Sequence, residues 1–169
     1  MTTLNGLPAH VLLVHAIVVL LPLSALLLVL SALWPAARSK LAGPNAILSV
    51  VVVILVPITT DAGEWLERRV ASTPLVRTHT ELGDTALWVA IPVAVLALLV
   101  WWRGRETRGS QGRTFLGPAS KAVTVVLSVL SIAAAGAAVW DIYRIGDSGA
   151  QASWQGQFSS TPAPRGPGH

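Results

Sequence analysis

Five side chains of this 169-residue chain combine chemical capacity with an unusual place: His10, His15, His79, Asp61 and Asp84. Each lies inside or beside a long apolar run. An imidazole offers a nitrogen lone pair to a metal ion or a haem iron, and a carboxylate can complete the ligand set. Two histidines from different helices can supply both axial ligands of haem b while a bundle shields the macrocycle. His15 and His79 are the leading pair for that role, with His10 as a substitute for either. A divalent zinc, copper or iron ion is the second candidate, held by His15 and His79 with Asp61 or Asp84. No tight motif such as H-E-x-x-H unites these residues, so location carries the expectation. The third reading is structural: His15 and Asp61 form a buried pair that fixes helix packing, and His10 and His79 satisfy helix ends.

The elements that must position these groups are membrane helices. Hydrophobic residues make up 53% of the chain and charged residues only 12%. Ordinary soluble domains carry roughly 25% charged residues. The apolar residues gather in four blocks, Val11 to Trp34, Ala46 to Thr60, Leu82 to Trp102 and Ala122 to Trp140. A spanning helix needs about 20 residues. The pattern predicts an all-α, four-helix transmembrane bundle over residues 1–145. Its spans cover about 9–34, 45–65, 80–102 and 120–143, and "AARSKLAGPN" forms a loop after the first. Pro8 suits a helix start, and Ser72-Thr73-Pro74 predicts that the third helix begins ahead of its apolar core. Residues 146–169 form an extracytoplasmic tail whose end, "SSTPAPRGPGH", has too little to bury to stay ordered. Residues 1–9 hold no Lys or Arg, unlike the start of a signal peptide. Cysteine is absent, which excludes disulfides, thiolate ligands and c-type haem attachment.

Lys and Arg in short loops set orientation. The first and third loops contain Arg38, Lys40, Arg103, Arg105, Arg108, Arg113 and Lys121; the second contains Arg68, Arg69 and Arg77. This balance places loops one and three in the cytoplasm and both termini outside. The net charge of +4 then reflects topology, not nucleic-acid binding. Of the eight acidic residues only Glu106 falls on the cytoplasmic side, so the carboxylates and His10, His15 and His79 gather at the outer end. His15 and Asp61 lie roughly 11–12 Å from the bilayer midplane at about 1.5 Å per residue. Ionisable groups at that depth are expected to face the bundle interior and meet a partner. His10 and His15 are five apart, about 140° around a helix, so they share a face only if His10 precedes the helix proper.

Milder features have structural explanations. Pro22, Pro57 and Pro92 interrupt three spans and can kink them. "AAAGAA", residues 133–138, allows close helix approach. Arg77 with Glu81, and Asp141 with Arg144, read as helix-surface ion pairs. No phosphate loop, nucleophile elbow or other enzyme motif is present.

Three stretches together carry a family resemblance: "GLPAHVLLVHAIVVLLPLSALL", "RTHTELGDTALW" and "YRIGDSGAQASWQG". The P-x-H-x-x-x-x-H pattern falls at Pro8, His10 and His15, H-x-x-L-G at His79, Leu82 and Gly83, and G-D-S-G-A at residues 146–150. The chain resembles, from Gly6 to Gly156, the bacterial membrane family known as domain of unknown function 2231, in its actinobacterial form. The resemblance implies a four-span membrane domain without an assigned activity. Relatives fused to cytochrome-c-like or Rieske-type domains imply a redox setting and a redox membrane protein as partner beside the lipid bilayer. It also implies that Gly146 to Trp154 is ordered and folds back near the outer site. The sequence therefore predicts a haem or metal site for electron transfer; the alternative is a non-catalytic scaffold or assembly protein.

Overall fold

The computed structural model describes residues 3, 4, 6–106, 116, 120–157, 159 and 161. A short hairpin opens the chain, with β1 (Thr3–Leu4) pairing antiparallel to β2 (Leu7–Pro8). Gly6 turns it with φ 80°, a left-handed conformation that glycine adopts without a Cβ clash. Five helices follow: α1 (Ala9–Leu33), α2 (Pro35–Glu67), α3 (Pro74–Gly83), α4 (Ala86–Glu106) and α5 (Lys121–Trp154). Four segments are long and apolar enough to cross a membrane: α1, α2, α3 with α4, and α5. The predicted all-α four-helix transmembrane bundle is what forms, and the protein is a multi-pass membrane protein.

α1 packs on α2 and α5, and α4 also packs on α2 and α5, so α1 and α4 sit across a diagonal. The facing residues are mostly small or aliphatic. Ala25, Leu28, Val52 and Ala138 are fully buried. Where lipid gives no hydrophobic drive between helices, such small surfaces let backbones approach closely. Large residues such as Val19, Ile47, Trp88 and Val125 point outward, as a lipid-facing surface requires.

One antiparallel register runs the length of the α1–α2 hairpin. His10 meets Thr59 at one end and Ser31 meets Arg38 at the other. The same register sets Ser24 opposite Asn45 halfway along, and both are fully buried. Thr73 caps α3 by accepting a bond from the Val76 N–H at 3.2 Å, as the Ser-Thr-Pro signal predicts.

Two stretches read as irregular are helical. "AARSKLAGPN" belongs to α2, which starts at Pro35 directly after the extended Trp34. Proline at the first helical position lacks only an N–H that would have had no partner, and Ala, Arg, Lys and Leu then propagate the helix. Helix α5 likewise continues across residues 145 and 146 to Trp154, so the segment after Gly146 is ordered and lies beside His79, as the resemblance implied, but it gets there by extending the helix and not by folding back. Packing of this last part against α3 overrides its Gly- and Ser-rich composition. Arg108, Arg113 and the end of the tail lie outside the described residues.

Candidate site at the histidine end of the bundle

His10 stands in the first turn of α1 and His79 midway along α3, and the bundle brings their rings together. The centroids are 6.2 Å apart with the planes inclined at 73°. Both side chains are half-buried. The His10 Nδ1–H donates to the Thr59 carbonyl of α2 at 3.0 Å. A carbonyl only accepts, so in the neutral ring the proton sits on Nδ1 and the lone pair on Nε2. His79 Nδ1 lies 3.1 Å from Ser148 Oγ of α5. That hydroxyl spends its own proton on the Ile145 carbonyl at 2.9 Å, so it accepts from Nδ1–H. The two imidazoles are thereby fixed in the same tautomer, each with a basic Nε2.

Glycines make room for both rings. A Cβ on Gly63 would stand 2.9 Å from His10 Cε1 and 3.0 Å from its Nδ1. A Cβ on Gly149 would stand 2.9 Å from His79 Cε1 and 3.2 Å from its Nδ1. Either contact is closer than a side-chain carbon tolerates without movement. Thus α2 closes on one imidazole through Gly63, and α5 closes on the other through Gly149.

The remaining sequence candidates lie elsewhere. His15 is exposed on α1, and its Nδ1 bonds to the Val11 carbonyl of its own helix at 2.5 Å. The 140° that separates it from His10 explains this: the helix turns one of the two inward and the other out. Asp61 and Asp84 are also exposed, and among the described residues neither side chain enters a hydrogen bond or ion pair. The expected His15–Asp61 pair does not form. Among the described residues no group of three or more His, Asp or Glu side chains converges as a metal-ligand set.

Two surface pairs also resolve differently. Arg77 donates to Ser72 Oγ at 3.4 Å instead of meeting Glu81. Asp141 does not meet Arg144. It is buried, and its two carboxylate oxygens each lie 2.9 Å from Thr85 Oγ1, which bridges α5 to the turn between α3 and α4. An ion pair joins Glu64 to Arg68 at 3.6 Å on the exposed end of α2.

Sequence reasoning missed Thr59, Gly63, Ser148 and Gly149. Thr59 acts through its backbone, which carries no sequence signal. Gly149 and Ser148 sit in the G-D-S-G-A motif, and that motif was the available clue.

Four apolar spans with a paired-imidazole cluster at one end define a small multi-pass membrane protein. The chain belongs to the family described as "Predicted membrane protein (DUF2231)", which matches residues 6–162. Comparison with curated proteins and with solved structures found no match.

Proposed function

We propose that the protein holds one divalent transition-metal ion between His10 and His79. One observation carries this reading: two imidazoles from different helices, 6.2 Å apart, each with Nδ1 already hydrogen-bonded. Metal-ligating histidines characteristically donate the other ring N–H to a carbonyl or similar acceptor, which orients the ring and raises its basicity. With metal–nitrogen bonds of about 2.0–2.1 Å, two imidazoles on one ion have centroids roughly 5–6.4 Å apart. The observed 6.2 Å lies near the linear limit of that range, about 1 Å wider than a tetrahedral pair, so binding takes a wide angle at the ion or a small closing of the rings. Neutral imidazoles suit copper, zinc or iron, and copper or iron would serve electron transfer.

A haem fits the packing less well. Gly63 and Gly149 let α2 and α5 close on the Cε1 edges of the rings, and a macrocycle at Nε2 would force those helices apart. The concentration of Arg and Lys at the opposite end favours an extracytoplasmic location for this site.

The test is metal titration of purified protein in lipid nanodiscs, with elemental analysis and a cobalt(II) absorption spectrum. We expect one ion per chain, lost in His10→Ala and in His79→Ala and kept in His15→Ala. Failure of the wild type to bind, or equal loss in His15→Ala, overturns the proposal. A Soret band after haem-replete expression would replace the ion with haem.

A further inference from the structure

The outward surface of the bundle changes character before its helices end. On α4 the exposed residues Trp88, Ile91, Val95, Leu98 and Trp102 are all apolar. On α3 the exposed residues are Pro74, Arg77, Thr78 and Glu81, with Asp84 at its end, while Leu75, Val76 and Leu82 are half-buried. The switch therefore falls between Asp84 and Trp88. On α5 it falls between Tyr143 and Arg144: Val129, Val139, Trp140 and Tyr143 are exposed on one side of it, and Arg144, Asp147 and Gln151 on the other. On α2, exposed Ile54 and Ile58 give way to Asp61, Glu64 and Arg68. Helix α1 carries no such switch, since Val11, Leu12 and Val18 are all exposed on it.

Two further observations mark this switch as the edge of the hydrocarbon. Trp88 at 78% exposure, Trp140 at 61% and Tyr143 at 62% stand just on its apolar side, and the Trp140 and Tyr143 rings stack at 5.7 Å. The Thr85–Asp141 bond holds α4 and α5 in register there, so these aromatics share one level. Exposed Trp and Tyr gather where acyl chains meet headgroups. At the switch itself, Asp61 and Asp84 are exposed, and neither side chain has a partner among the described residues. A bare carboxylate is tolerated in water and costly in hydrocarbon.

The histidine pair lies on the polar side of this edge. Arg144 comes four residues before Ser148 and Asp84 five after His79, about 6–7 Å at 1.5 Å per residue. On α2, Thr59 bonds His10 and Gly63 faces it, and the two flank Asp61. We propose that His10 and His79 stand outside the hydrocarbon, in a polar head built from α3 and the adjoining ends of α2 and α5, and that the ion they hold passes directly to and from the water at that end. The route of the ion rests on the metal reading above; the placement of the rings does not. Both rings are half-buried, which leaves each a side open to that water.

The chain has no cysteine, so single introduced cysteines report water access directly. Thr78→Cys, Asp147→Cys, Val95→Cys and Val129→Cys are reacted in lipid nanodiscs with a charged, membrane-impermeant maleimide. All four positions are exposed, so none of these variants opens the core. Thr78→Cys and Asp147→Cys should label readily. Val95→Cys and Val129→Cys should label roughly a hundredfold more slowly, the partition penalty of a charge deep in a bilayer. In a second arm, cobalt(II) bound to the wild type is removed by EDTA, which stays in water, or by phenanthroline, which enters the bilayer. Each rate is taken relative to that on detergent-solubilised protein, and the two ratios should agree. Labelling needs no ion, so a wild type that binds no cobalt yet labels at Thr78→Cys and Asp147→Cys supports the placement and overturns the metal reading with its ion route. Protection of Thr78→Cys and Asp147→Cys to the level of Val129→Cys overturns the proposal. So does cobalt that phenanthroline removes from nanodiscs and EDTA does not.

Discussion

Replacing Gly63 with alanine should separate the stability of the bundle from the chemistry of its histidines. The added Cβ would lie 2.9 Å from His10 Cε1 and 3.0 Å from Nδ1, so the ring or α2 must shift by a few tenths of an ångström. Overpacking of this kind costs about 1–3 kcal/mol. Glycine-to-alanine inside a helix returns roughly 1 kcal/mol. The net change in stability is therefore small, from near zero to about 2 kcal/mol of loss. The chemical effect is larger, because the shift strains the Nδ1–Thr59 bond of 3.0 Å and moves Nε2. Losing such an orienting partner lowers metal affinity about 10–100-fold. Competition titration against a chelator gives the affinity, and denaturant unfolding in detergent gives the stability. Gly136→Ala is the control, since a Cβ there meets nothing within 4 Å. If Gly63→Ala binds the ion as tightly as the wild type, His10 is not a ligand and the reasoning fails.

Ser148→Ala removes the acceptor of His79 Nδ1–H and should weaken metal affinity about 10–100-fold in the same titration, with one ion per chain still bound at saturation. Thr85→Val strips buried Asp141 of its hydroxyl partner and should destabilise the bundle by about 1–3 kcal/mol, while Thr85→Ser stays near wild type in detergent unfolding. Asn45→Leu is expected to be neutral or to stabilise by about 1–3 kcal/mol, because neither side-chain atom of this fully buried amide has a partner among the described residues. A clear loss of stability in Asn45→Leu would show instead that the amide is satisfied by buried water.

Hydropathy made the four spans legible, and a finer period carries more than the spans. Residues 10, 17, 24 and 31 are spaced by seven, and Ile17, Ser24 and Ser31 are buried. Residues 79, 86, 93 and 100 repeat the spacing, with Ala86, Val93 and Val100 buried. Such a seven-residue spacing marks the seam of packed helices. His10 and His79 lie on these lines. His15 does not, and Asp61 falls off the corresponding line through Asn45, Val52 and Thr59. Ranking candidates by depth in the bilayer favoured His15; ranking them by phase along the helix selects His10. Asp141 was legible by the same rule, three residues beyond buried Ala138 and four before buried Ile145. The α2 start at Pro35 and the extension of α5 were not, because composition argued for loops and tertiary packing decided otherwise. The carbonyl of Thr59 is invisible to any reading of side-chain types.

The two ends of the bundle obey opposite electrostatic logic, and each follows from where helices stop. At one end the Nδ1–H groups of His10 and His79 donate hydrogen bonds to a carbonyl and a hydroxyl, which leaves the lone pairs on Nε2 for a cation. At the other, Arg38 satisfies the open carbonyls at the end of α1, where the helix dipole is negative, and Arg103 binds the Ser120 carbonyl ahead of α5. That arrangement sets positive charge against the carbonyl ends of the helices. Between them lie buried Ser24, Ser131 and Asn45, polar groups without partners among the described residues, on an otherwise apolar axis. A cation at the imidazoles would join α1 to α3 where their two rings otherwise meet only edge to edge. The bundle should therefore be more stable with the ion bound, by about 2.7 kcal/mol at a hundredfold excess over Kd, and Arg38→Gln, about 30 Å away across the bilayer core, should leave that increment unchanged.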